Sequence, residues 1–208
     1  MKVCTLAIGE KYTNYADSLK LQTPADIAIY RDLPKNITHY NNFFNYNCKK
    51  YAIKNEYDDE GTLFVDADSK CVSPTDFENF VKNSRSFEPG IYSPYIFSAY
   101  GFRHTIITEQ TINREKLTVK LKIYDKILHL TDSQLLKFSM PYEWLMFFKF
   151  VDERQKDAFF DRWDFLEKIL LESAFNNLQQ ECNLIGLAAQ YCNLPIVKLS
   201  IKSGFSHK

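Results

Sequence analysis

Three short apolar runs separated by stretches with helical spacing constrain this chain more than any other feature. They are Lys2–Ile8, Ile27–Tyr30 and Thr62–Val65, and each reads as a buried strand. After the first, Gly9 permits a turn, Thr13 to Gln22 reads as a short helix with Tyr15, Leu19 and Leu21 as apolar contacts, and Pro24 ends it. After the second, Phe43 to Lys54 has helical spacing, and Asp58-Asp59-Glu60-Gly61 makes a charged turn. Strand, helix, strand, helix, strand requires right-handed crossovers and parallel neighbours. The expectation is one α/β domain, its central, mainly parallel mixed sheet flanked by helices.

The rest of the chain continues that pattern less evenly. Ser73-Pro74-Thr75-Asp76-Phe77 opens a helix, with Ser73 as N-cap and Pro74 at the first position. From Ser84 to Phe102, Pro89, Gly90, Pro94 and Gly101 alternate with Phe87, Tyr92, Tyr95, Phe97, Tyr100 and Phe102. This stretch suits either a loop-rich pocket wall or aromatic core packing under a long loop. Thr118 to Tyr124 alternates like a half-exposed strand, with Lys126 to Thr131 as its hairpin partner. Glu143 to Phe150 looks like a strand. Glu153 to Glu172 carries a helical stripe of Phe159, Phe160, Trp163, Leu166, Ile169 and Leu170, which is core packing. A last helix near Leu178 to Cys192 precedes Pro195 and a strand through Ile201.

Composition narrows the class. The 208 residues suffice for one good-sized core, and 45% hydrophobic with 25% charged residues is a globular balance. Lys plus Arg equals Asp plus Glu at 26 each, so no global field draws the chain to nucleic acid. Cys4, Cys48, Cys71, Cys182 and Cys192 form no CxxC pair, and the last two lie about 15 Å apart along one helix, too far to bridge. A reduced, cytoplasmic protein is expected. No apolar run reaches membrane-spanning length.

The third apolar run ends in Asp66-Ala67-Asp68-Ser69. Alternation along a strand sends residues i and i+2 the same way, and the carboxyl ends of strands are where open α/β sheets bind ligands. Two close carboxylates repel unless a cation or proton lies between them. Hard divalent ions, Mg²⁺ or Mn²⁺, bridge such carboxylates to phosphates. An Asx-rich turn closing a strand has the same look.

These pieces resemble the GT-A class of metal-dependent, nucleotide-sugar glycosyltransferases. The likeness rests on Thr5-Leu6-Ala7-Ile8-Gly9-Glu10-Lys11-Tyr12, the basic pair Lys49-Lys50 and Phe64-Val65-Asp66-Ala67-Asp68. It covers the first 80 or so residues in order and spacing, and the rest in outline. In its small size the chain is also similar to the compact glycosyltransferases of large algal viruses that decorate capsid protein.

The resemblance implies a GT-A-like single domain over residues 1–208, a nucleotide-binding part (1–80) followed by an acceptor-side part (81–208), whether whole or a fragment of a longer protein. It implies a UDP-sugar donor, a glycan or glycoprotein acceptor, and Mn²⁺ or Mg²⁺. Asp68 would bind the metal, and Asp66 the metal or the ribose. Thr5, Leu6 and Ala7 would meet the nucleoside, Tyr12 would stack on uracil, and Lys50 would touch the donor, with Lys49 and Lys54 near enough to exchange for it. His207 would complete the metal shell, although Gly204 precedes it where relatives place a glycine after the histidine. Glu181 would be the base of an inverting reaction, and Gln180 would face the sugar in a retaining one.

Each role has a plainer counterpart. Glu181 can simply favour the positive end of a helix, Lys49 and Lys50 a solvated helix face, and Asp58-Asp59-Glu60 a solvated turn. His39, His104 and His129 lack ligand-like neighbours in sequence. A haloacid-dehalogenase-type phosphatase would use Asp66 as nucleophile, but its motif usually lies on the first strand and this one follows the third. A non-catalytic nucleotide- or glycan-binding domain would keep the fold without the reaction.

Overall fold

The computed structural model describes residues 1–32, 48–98, 139–142, 144–172 and 181–207. In chain order the elements are β1 (Lys2–Leu6), α1 (Glu10–Gln22), β2 (Ile27–Tyr30), α2 (Lys49–Asn55), β3 (Thr62–Val65), β4 (Lys70–Cys71), α3 (Pro74–Ser84), β5 (Gly90–Ser93) and β6 (Ile96–Ser98). They continue with β7 (Ser139–Pro141), β8 (Leu145–Lys149), α4 (Glu153–Glu172), α5 (Glu181–Tyr191), β9 (Ile196–Lys198) and β10 (Phe205–Ser206).

Six strands form the central sheet in the order β2-β1-β3-β8-β5-β9. β1 runs parallel to β2 and β3, and β9 parallel to β5, while β8 runs antiparallel to both β3 and β5. The sheet is therefore mixed and mainly parallel, with β8 alone reversed. Side chains alternate between two cores. Cys4, Phe64, Met146 and Phe148 face α2, α4 and α5, meeting Ile53, Phe159, Phe160, Trp163 and Ile185. Val3, Leu63, Val65, Leu145 and Phe147 face α1 and α3, meeting Leu19, Phe77 and Phe80. All four residues of β3 are inaccessible to solvent, as expected of a strand covered on both faces.

Several boundaries move from the sequence reading. The first helix begins at Glu10, not Thr13, because Gly9 takes φ +88° and turns the chain straight into it. Ser73 does cap α3: its Oγ accepts from the Asp76 N–H at 3.2 Å, and Pro74 stands first in the helix. The aromatic stretch after Ser84 starts as a turn through Pro89 and then enters the sheet. Gly90–Ser93 is a buried strand between β8 and β9, and Phe87 stacks on Tyr92 with ring centroids 4.5 Å apart. The strand expected through Ile201 stops at Lys198. The hairpin at 118–131, the first part of the helix expected from Phe43, and His39, His104 and His129 lie outside the described residues. The five cysteines form no disulfide with one another. No helix of the described residues is long and apolar enough to cross a membrane.

Candidate metal centre

The acidic turn starts where β3 leaves the sheet. The Asp66 N–H donates to the Trp144 carbonyl at 2.8 Å, the last link between this strand and the start of β8. The Ser69 N–H then donates to the Asp66 carbonyl at 3.0 Å, closing a tight turn. Ala67 points inward and packs with Ala7 and Ala16 beneath α1. With the middle residue held inside, the Asp66 and Asp68 side chains stand partly exposed, at 22% and 28%.

The end of the chain is strapped onto this turn. β10 pairs antiparallel with β4, Phe205 opposite Cys71 and Ser206 opposite Lys70. The Gly204 carbonyl accepts from the N–H groups of Val72 and Ser73, at 2.9 and 3.1 Å. Gly204 takes φ +81°, and a β-carbon there would lie 2.5 Å from the Ser73 carbonyl oxygen and 2.6 Å from the Phe77 nitrogen. Only glycine suits both the conformation and the space. Phe205 fills the core edge-on to Phe77, 5.4 Å between centroids.

The strap delivers His207. Its Nε2 lies 3.3 Å from Asp68 Oδ1 and 3.9 Å from Asp66 Oδ2, and its ring stacks on Trp144 at 5.5 Å. One ligand atom from each of Asp66, Asp68 and His207 falls within 4.8 Å of the others. Two carboxylate oxygens and an imidazole nitrogen suit a divalent ion that accepts both donor types, Mn²⁺ more readily than Mg²⁺. The donor set fits the group that the resemblance implies.

The two lysines that open α2 go different ways. Lys49 is buried, its Nζ 2.8 Å from Asp66 Oδ1 and 5.3 Å from the centre of the Phe64 ring. Lys50, expected at the donor, instead places its ammonium on Asp164 and Glu167 of α4. Burial pulls Lys50 toward losing its proton, but Glu167 and Asp164 outweigh it and hold the pKa above its ordinary value. Burial likewise pushes the Glu167 carboxyl up, with Lys50 opposing. This buried network ties α2 to α4.

Others of the expected residues lie on β1, just after it, or in the first turn of α1. Thr5 is fully buried, and among the described residues its Oγ1 has no hydrogen-bond partner. Leu6 ends β1, and the buried Ala7 donates its N–H to the Tyr30 carbonyl at 2.8 Å. Tyr12, in the first turn of α1, is 42% exposed and edge-on to Tyr15. Ser69, next to Asp68, is buried with its Oγ unpartnered among the described residues. α5 leads into β9, which runs parallel to β3, and the short link from Tyr191 to Ile196 sets the C-terminal end of α5 beside the start of β9. Glu181 is the first residue of that helix; its side chain and all of Gln180 lie outside the described residues.

Lys49 as partner of Asp66, Trp144 under His207 and Gly204 as the hinge of the strap were not singled out from sequence. Trp144 carried no signal, because only the pairing of Val65 with Leu145 brings it to the turn. A concavity of about 570 Å³, lined in part by Lys2, Pro24, Asp26, Glu56 and Phe77, lies where the strands begin and contains none of the acid-pair residues. Comparison with protein families, with curated proteins and with solved structures finds no match to this chain.

Proposed function

We propose that this chain is a metal-dependent glycosyltransferase that moves a sugar from a UDP-sugar to a glycan or glycoprotein acceptor. One observation carries the reading: Asp66, Asp68 and His207 converge within 4.8 Å at the tip of the central strand, where an α/β sheet binds its ligands. Transfer from a nucleoside diphosphate leaves growing negative charge on the departing diphosphate. A divalent cation held by these three residues supplies a Lewis acid for that charge.

The chain's own groups do the rest. Lys49 adds a fixed positive charge beside Asp66, preorganised for an anionic leaving group. The end of β1, from Thr5 to Ala7, meets the nucleoside, and the exposed ring of Tyr12 offers a face to uracil. Glu181, opening α5, takes the proton of the acceptor hydroxyl if the anomeric centre inverts. Gln180 faces the sugar if it is retained.

Titration of UDP, GDP and CMP with and without Mn²⁺ tests the reading, with UDP-sugar hydrolysis measured alongside. UDP is expected to bind best, and only with metal. Asp68→Asn removes that metal-dependent binding and leaves thermal unfolding unchanged. UDP affinity that ignores both the metal and the substitution overturns the proposal. Metal-dependent UDP binding without release of sugar from any donor leaves a nucleotide-binding domain without the reaction.

A further inference from the structure

We propose that Lys49 makes the acid pair selective for a divalent cation already complexed to a diphosphate, and against the bare cation. The inference rests on the metal–diphosphate reading above and goes beyond it, since it concerns the order in which the ligands assemble. The Lys49 ammonium sits 2.8 Å from Asp66 Oδ1, while Asp66 Oδ2 and Asp68 Oδ1 turn toward His207. A ligating imidazole is neutral. Among the described residues, two carboxylates and one ammonium therefore present a net charge of about −1 to an arriving ion, in place of the −2 of the acid pair alone.

The side chain of Lys49 is 7% exposed, so solvent screens it weakly, and it lies well inside the ~10 Å Debye length of any cation held by the three ligands. It repels a bare divalent ion and occupies one oxygen of Asp66. A nucleoside diphosphate brings more negative charge than the cation brings positive. The same ammonium that disfavours the ion therefore favours its diphosphate complex. The Phe64 ring below Nζ and the burial of the stem hold the charge at this spot, so it is a fixed feature of the site.

Calorimetric titration of the wild-type chain, Lys49→Met and Lys49→Arg, with Mn²⁺ alone and with Mn²⁺ premixed with inorganic pyrophosphate, tests this. Thermal melts of each variant accompany the titrations. Lys49→Met is expected to bind bare Mn²⁺ roughly tenfold more tightly or better, and the Mn²⁺–pyrophosphate complex more weakly, reversing the preference. Lys49→Arg keeps the wild-type order. Unchanged affinities in Lys49→Met overturn the inference and leave the metal–diphosphate reading standing. If no protein binds Mn²⁺–pyrophosphate, that reading itself fails. Should Lys49→Met not fold, the wild-type chain decides: equal affinity for Mn²⁺ with and without pyrophosphate overturns the inference.

Discussion

Gly204→Ala should detach the strap that carries His207 while leaving the central sheet intact. An L-residue in the left-handed region costs about 1–2 kcal/mol. The new β-carbon would also press within 2.6 Å of two backbone atoms, which cannot swing aside as a side-chain tip can. Overpacking of that kind adds roughly 1–3 kcal/mol. Against this, the strap is held by its short pairing with β4, by the two hydrogen bonds from Val72 and Ser73, each worth about 0.5–1.5 kcal/mol, and by Phe205, whose burial contributes about 1.5–3 kcal/mol. Strain and holding energy are of the same size. The least costly response is release of residues 204–207. Hydrogen exchange at the Val72 and Ser73 amides reads that release directly, because both donate to the Gly204 carbonyl. Mn²⁺ affinity should fall as far as in His207→Ala, and the double variant should fall no further, since both changes remove the same ligand. Amides that stay protected, or a double variant that loses the sum of the two effects, would refute the reasoning.

Two other perturbations separate scaffold from chemistry. Lys50→Met leaves the buried Glu167 carboxylate beside Asp164 without its cation, and urea unfolding at pH 7 should show a loss of about 3–5 kcal/mol. Glu167 already has its pKa raised by burial, so the folded state takes up this proton at a higher pH than the unfolded chain does. Through this group acidification favours folding. Removal of Lys50 enlarges the effect, and part of the loss should return as the pH falls toward 5, the end of the window set by the ordinary carboxylate range; a loss that deepens there would contradict the assignment. Glu181→Gln should leave UDP binding with Mn²⁺ intact and lower turnover on the order of 10²-fold or more if the reaction inverts, and full activity in a single-turnover assay would remove Glu181 from the mechanism.

The parts of the fold that show in the sequence are those fixed by local pattern. β1, β2 and β3 are short apolar runs bounded by turns, α3 announces itself through Ser73, Pro74 and Asp76, and α4 through its aromatic stripe. β5 hid because only four residues separate Pro89 from Pro94, and its strand character comes from pairing with β8 and β9 rather than from its own alternation. The site divides the same way. Asp66 and Asp68 are visible because they are neighbours on one strand end. Lys49, Trp144 and His207 join them from α2, from the residue before β8 and from the strap after β9, through contacts that no spacing encodes. The choice between Lys49 and Lys50 was equally closed to sequence. Successive residues on a helix point about 100° apart, and the packing of α2 between β3 and α4 turns the first lysine to Asp66 and the second to Glu167.

Crystals soaked with manganese and uridine diphosphate test the central claim most directly, because the anomalous signal of the metal locates it without reference to activity. The expected peak lies among Asp66, Asp68 and His207, with a diphosphate oxygen bound to it and the nucleoside lying toward the end of β1. Metal and nucleotide bound elsewhere, or a strand tip empty under saturating soaks, would contradict it.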